Sequence, residues 1–245
     1  MITDRPPDDE APVLPWDLFA TRIFRWGQDQ HVGIIGPTEQ GKSNLAYHLL
    51  QRRSYVAYMG IKSRDKTLDS FARQGGYQRI YDWPPKQGHI RKRPVPWEDM
   101  PRRLVWPDAT NRRGSRETQR QVFTRMLDDC WRGYACVVWD DFWYLVRILG
   151  MELDAKQNLL NARSAESAQV IIAQRGGGNR MVELYDQPTH LFFAAETDES
   201  NLERLGPRSS PRRRFVQHLD RYQFLYENTR EHWLYRVTAP LLGQQ

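Results

Sequence analysis

An α/β fold built on a largely parallel central sheet is what this 245-residue sequence predicts. Three observations carry that expectation. Short apolar runs of strand length recur along the chain, segments of helical periodicity separate them, and the two kinds alternate in order. With 40 % hydrophobic residues, a chain of this length can bury a substantial core in one globular unit.

Taken in order, residues 1–15 carry four acids and four prolines and read as a disordered acidic leader, with 16–245 as a single domain. Leu18, Phe19, Ile23 and Trp26 fall near helical spacing, predicting an amphipathic helix over 16–26. A buried strand at 31–35, a glycine-bearing turn and a helix over 42–53 follow. Next come a strand at 55–61 and a short helix at 67–74. The proline- and arginine-rich stretch 82–114 reads as a surface insertion, strand-like only at 104–106. Val122, Met126 and Cys130 lie a turn apart in a helix over 115–131. A strand at 135–139 leads to a mostly helical stretch over 142–168, broken near Gly150. Strands at 170–173 and 191–195 flank Gly176–Gly178, and 222–239 reads as a C-terminal hairpin. No internal repeat interrupts this order.

Several classes are excluded. No window approaches the ~20 apolar residues of a membrane-spanning helix. The acidic start does not resemble a secretory signal. Cys130 and Cys136 are too close for a disulfide framework, and no paired CxxC or HxxxH offers a zinc site, so a reducing cytoplasm is expected. Net charge is +6, and the cations are six lysines and thirty arginines. That bias has two readings, phosphate contact or GC-rich coding. Clustering favours a polyanion partner: the cations concentrate between Lys86 and Arg125, and 204–214 holds five arginines and no acid. The candidate DNA contacts are Arg91, Lys92, Arg93, Arg102, Arg103, Arg112, Arg113, Arg212, Arg213 and Arg214; the bland alternative is a solvated basic loop.

Gly36-Pro37-Thr38-Glu39-Gln40-Gly41-Lys42-Ser43 fits the phosphate-binding pattern GxxxxGK[ST], with an apolar strand before it and a helix after it; these eight residues and Asn44 are the expected nucleotide-binding residues. Glycines let backbone N–H groups curl round phosphates, and the helix N-terminus adds its positive dipole end. Lys42 is placed to reach the β and γ phosphates and Ser43 to bind Mg2+. Glu39 stands where many such loops carry glycine; it either faces solvent or activates water. Val137-Val138-Trp139-Asp140-Asp141 is an apolar strand ending in two acids. Asp140 is expected to hold Mg2+. Asp141 is expected to orient or deprotonate the attacking water, or else to cap the helix that follows.

In this order the motifs resemble the HerA/FtsK-type P-loop ATPases, the class of DNA translocases, conjugation motors and viral genome-packaging motors. The resemblance rests on 30–38 leading into the loop, on Ile61-Lys62-Ser63-Arg64-Asp65, on Asp140-Asp141-Phe142, and on the run from Ala162 through Arg163 to Gln174-Arg175. Glu196-Thr197-Asp198 after a further strand also follows the pattern. It implies a RecA-like domain with helices on both sheet faces that hydrolyses ATP with Mg2+ to move double-stranded DNA. It implies Gln174 as a polar sensor near the γ-phosphate. It also implies Arg163 as an arginine finger reaching a neighbour's nucleotide, hence a homo-oligomeric ring, pentamer or hexamer. The alternative for Arg163 is an ion pair with Glu166 at i+3. A packaging subunit docking on a capsid vertex or portal protein, in host cytoplasm or virion, is the leading expectation. A conjugation or mobile-element translocase, or an ATP-binding assembly scaffold with little turnover, are the alternatives.

Overall fold

Ten strands form one sheet in the order β1-β10-β9-β8-β2-β7-β6-β3-β5-β4. The structure is a computed structural model and describes residues 10–62, 65–84, 102–107, 114–131, 135–174 and 183–242. The strands are β1 (Val13–Leu14), β2 (Val32–Ile35), β3 (Val56–Met59), β4 (Gln78–Ile80), β5 (Arg102–Val105), β6 (Cys136–Trp139), β7 (Ala168–Ala173), β8 (His190–Ala194), β9 (Gln223–Asn228) and β10 (Trp233–Thr238). From β8 to β4 every neighbouring pair is parallel. β9 and β10 pair antiparallel as the expected hairpin, extending the sheet beyond β8.

The central strands are buried on both faces, which is why they appear in the sequence as continuous apolar runs rather than alternating ones. Side chains alternate between two cores: Val56 and Tyr58 enter one, Ala57 and Met59 the other. The first core is covered by α1 (Trp16–Leu18) with its π-helical continuation Phe19–Ile23, by α2 (Lys42–Leu50) and by α3 (Lys66–Gly75). The other is covered by α4 (Gly114–Cys130), the helical turn Tyr144–Ile148, α5 (Glu152–Asn161) and the short helices α6 (Glu183–Asp186), α7 (Glu199–Leu202) and α8 (Pro211–Val216). The Asp65 carboxylate accepts from Thr67 N and Leu68 N, both 3.0 Å, capping α3, and Gly76 closes the helix at φ 68°.

Three sequence expectations change. The leader is not disordered to residue 15, because Val13–Leu14 pairs in parallel with β10 and the Arg236 Nε donates to Ala11 O at 2.8 Å. The stretch 82–114 is not wholly a surface insertion: its Arg102–Val105 segment is β5, between β3 and β4. β4 itself has no counterpart in the sequence reading, its Gln78 and Arg79 being exposed and polar. Among the described residues no helix is long and apolar enough to cross a membrane, and both cysteines are free buried thiols.

Buried polar groups collect where the parallel strands begin. His31 is fully buried; its Nδ1 accepts from Gln169 N at 3.2 Å, and Arg163, Asp29 and Arg230 act on it electrostatically. His190 Nδ1 contacts the Tyr226 hydroxyl and its Nε2 the Gln30 carboxamide, each at 2.9 Å, with Arg230 and Arg53 nearby. Burial pushes His31 down to about 4 and His190 down to about 3. Both are therefore neutral in the folded chain, while the unfolded chain takes up their protons below about pH 6.5. Their contribution is flat above that pH and falls as the pH drops, by roughly 1.4 kcal/mol per unit for each histidine until its folded value is reached. Denaturant titrations at pH 7 and pH 5 should show a smaller loss of stability for His190→Gln than for the parent chain, whatever the variant's stability at pH 7.

Candidate nucleotide site

The strand ends that face one edge of the sheet carry the motif residues. Register decides this: Ile35 pairs with Ala173 on one side and Phe193 on the other, and Trp139 pairs with Ile171. Gly36 and Gln174, each the next residue along, therefore emerge side by side, and Asp140, level with Ile172, follows its strand toward the same edge. Gly36 N donates to Ala173 O at 3.1 Å, and the buried Trp139 Nε1 donates to Gln169 Oε1 at 2.8 Å, fastening β6 to β7.

The loop 36–43 leaves β2 with backbone that only glycine tolerates at two points. Gly36 has φ 155°, and a Cβ there would stand 2.5 Å from Ala194 Cβ. Gly41 has φ 85°, and its Cβ would meet the Tyr222 ring at 2.2 Å. Glu39 also adopts positive φ, 64°, which explains why glycine suits this position; its side chain is exposed. Lys42 is 8 % exposed and its ammonium donates to Pro37 O. Burial lowers Lys42 to about 8, against the opposing pull of Asp140 and Asp141.

Asp140 follows β6 and is half-buried. Burial raises its carboxyl to about 6, opposed by the Tyr58 hydroxyl, the Lys62 ammonium and the Asp141 N–H, which donates to Oδ1 at 2.9 Å. Asp141 sits at φ 47°. Its carbonyl, rather than the side chain expected as a cap, accepts from Tyr144 N at 2.8 Å and Leu145 N at 3.4 Å. Thr38, Glu39, Gly41, Lys42, Ser43, Asp140, Asp141 and Gln174 share one open cleft of about 740 Å3, within the range of ligand sites. A hard cation takes one or two carboxylates plus substrate oxygens. The Ser43 hydroxyl and the Asp140 carboxyl fit that need, both lining the cleft where phosphates would lie against the loop.

Other expected residues stand elsewhere. Asn44 lines the cleft, but its side chain is committed to the C-terminal segment: Nδ2 donates to Pro240 O at 2.5 Å and Oδ1 accepts from Leu242 N at 2.8 Å. Arg163 precedes β7, so it lies at the opposite sheet edge from the phosphate loop, roughly 20 Å away along six residues of strand. It donates to Gln187 O instead of pairing with Glu166. Arg102 is occupied by Arg53 O, Gly75 O and Gln51 O at 2.9–3.0 Å. Arg103 is 3 % exposed, beside the Trp83 ring. Arg212 forms a bidentate pair with Glu227 at 2.7 and 2.8 Å, and Arg213, 4 % exposed, pairs with Glu199. Those four arginines serve the fold: Arg102, Arg212 and Arg213 spend donors on neighbouring segments, and Arg103 is buried against an aromatic ring. Arg214 is exposed, while Arg91, Lys92, Arg93, Arg112 and Arg113 lie outside the described residues.

Sequence reasoning missed Arg221, Tyr222, Leu241 and Leu242, which complete the cleft on its β9 side. Arg221 Nε donates to Glu39 O at 3.1 Å. These residues belong to no motif; only the reversed direction of β9 brings its start to the phosphate edge.

No protein-family profile and no curated protein matches the sequence. Solved structures do match the fold, among them proteins described as ATPases. The DNA-packaging ATPase B204 of Sulfolobus turreted icosahedral virus superposes with a TM-score of 0.57 at 16 % identity, covering 86 % of this chain and 98 % of that one. VirB4 of Thermoanaerobacter pseudethanolicus gives 0.60 at 12 % identity, covering 91 % and 92 %. EssC (ATPases 2 and 3) from Geobacillus thermodenitrificans gives 0.56 at 13 %, covering 91 % of this chain but 42 % of its own. The fold expected from the sequence, a mostly parallel α/β sheet of RecA-like type, is the one observed.

Removing a buried arginine from its carboxylate costs fold stability rather than DNA affinity. Arg213→Ala should lower unfolding stability by about 2 kcal/mol, read by urea denaturation, and leave the salt dependence of any DNA binding unchanged.

Proposed function

We propose that this chain is a Mg2+-dependent ATPase that drives double-stranded DNA, one subunit of a homo-oligomeric ring of the genome-packaging kind. The observation that carries the reading is the cleft itself: phosphate loop, Asp140–Asp141 and Gln174 meet at one sheet edge. Lys42, held against Pro37 O, turns to the β and γ phosphates when they bind. Mg2+, held by Ser43 and Asp140, would neutralise charge on the β and γ oxygens. Asp141 orients the attacking water and accepts its proton. Gln174 donates to the γ-phosphate from the end of β7. The fold shared with B204, described as a DNA-packaging ATPase, supports the DNA-moving role, with a capsid vertex or portal protein as docking partner. Of the basic residues expected to touch DNA, Arg91, Lys92, Arg93, Arg112, Arg113 and Arg214 supply the contacts.

Lys42→Ala tests the core of this reading. ATP affinity should fall and phosphate release should vanish, and in the parent chain double-stranded DNA should raise the rate. A Lys42→Ala variant with parental turnover would overturn the site. Turnover near zero and unmoved by DNA in the parent chain would favour the scaffold alternative.

Arg163 lies a strand's length from its own cleft, so any phosphate that it serves belongs to a neighbouring subunit. Arg163→Ala should then keep ATP affinity within about threefold while losing most of the rate, since its contact forms only in the transition state. Mixing Arg163→Ala with Lys42→Ala should restore part of the activity as subunits exchange. Mixed rings, verified by fluorescence transfer, that stay inactive would remove Arg163 from this role.

A further inference from the structure

Phosphate chemistry accounts for only part of the cleft. Across the strand order, the catalytic acids and Gln174 stand at the ends of β6 and β7, to one side of the phosphate loop. On the other side stand Tyr222 at the head of β9 and Leu241–Leu242 beyond β10, a ring and two aliphatic side chains with no part in phosphate transfer. A nucleotide whose terminal phosphate faces Asp141 and Gln174 must extend its other end this way.

We propose that Tyr222 and the C-terminal segment Leu241–Leu242 form the base subsite, in which the purine is gripped by its face between the phenol ring and the two leucines. The proposal rests on the nucleotide reading above. Three features on this side of the cleft support it.

Tyr222 is fixed in place: its ring lies so close to Gly41 that no side chain fits there, and its backbone sits at φ 67°. A half-buried ring held in strained backbone beside a ligand cleft is a common device of binding sites. The guanidinium of Arg221 lies 5.0 Å from the ring centroid and reaches the loop at Glu39 O, making the rim of the subsite cationic beside the phosphates. The tail is held by α2. Pro240 O takes Asn44 Nδ2 at 2.5 Å and His48 Nε2 at 2.8 Å, and Leu242 N gives its hydrogen to Asn44 Oδ1. These polar groups of the tail are spent on α2, and Leu241 and Leu242 line the cleft. Asn44, directly after the cation-binding Ser43, is thus a positioning residue for the base side of the site.

Base–aromatic stacking responds to alanine substitution by roughly five- to 150-fold in affinity. Mg-ATP and Mg-tripolyphosphate, titrated calorimetrically into the full chain, separate base from phosphate. ATP should bind the parent chain at least about tenfold more tightly than tripolyphosphate. Tyr222→Ala should weaken ATP by about tenfold and leave tripolyphosphate within twofold, and Tyr222→Phe should retain parental ATP affinity. Asn44→Ala should show the same split with a smaller loss. Equal weakening of both ligands by Tyr222→Ala would make Tyr222 a mere prop for the loop and overturn the proposal. So would parental binding of ATP no tighter than of tripolyphosphate, a result that leaves the phosphate site standing. Binding of neither ligand by the parent chain would instead bring down the nucleotide reading itself.

Discussion

Ile35 is hydrogen-bonded into register with Ala173 on one side and with Phe193 on the other, and the cleft depends on that two-sided constraint. A shift of one residue in β2 would invert its side chains between the two cores and move Gly36 off the close approach to Ala194 that no other residue survives. Because the strands from β8 to β4 run parallel, their carboxyl ends come to one edge together. Chemistry placed just after a strand is then delivered there without any loop having to travel. Gly36, Asp140 and Gln174 are neighbours for this reason, although they come from positions scattered over much of the chain.

The groups so delivered are poised against one another. Lys42 is pushed down and Asp140 up by burial, each short of the solvation that its charge requires. Asp140 partly sustains the ionised form of Lys42, and Lys62 that of Asp140, but neither group is fully satisfied. Lys42 leans on a carbonyl of its own loop. On the function proposed above, a polyphosphate with its counter-cation would offer each group an opposite charge, so that binding would relieve a desolvation cost already incurred in folding.

The phosphate loop, the strand ending in Asp140–Asp141 and the central strands were legible because their signals are local: a glycine pattern and continuous apolar runs. β4 and the start of β5 were not, since Gln78, Arg79, Arg102 and Arg103 look like loop residues. Arg102 and Arg103 become tolerable in a strand only through carbonyls and an aromatic ring supplied by distant segments. Arg212 and Arg213 misled in the same way, their carboxylate partners being 15 and 14 residues away. Arg163 carries a different lesson. In a parallel sheet only the residue that follows a strand shares the phosphate edge, so Gln174 reaches the cleft and Arg163, before the same strand, stands at the far edge. Tyr222 escaped notice because its position depends on β9 running against its neighbour, a tertiary fact.

The pairing of β1 with β10 has a consequence for how the chain assembles. Ala11 O and Arg236 are 225 residues apart, so the first strand has no partner until the last one has been synthesised and laid down. Contacts of such long range form late and slowly. Once β10 has joined the sheet, its outer edge presents an unpaired row of backbone groups until β1 docks on it. The pairing thus ties the first described strand to the last and caps the β10 edge at Arg236 and Val237.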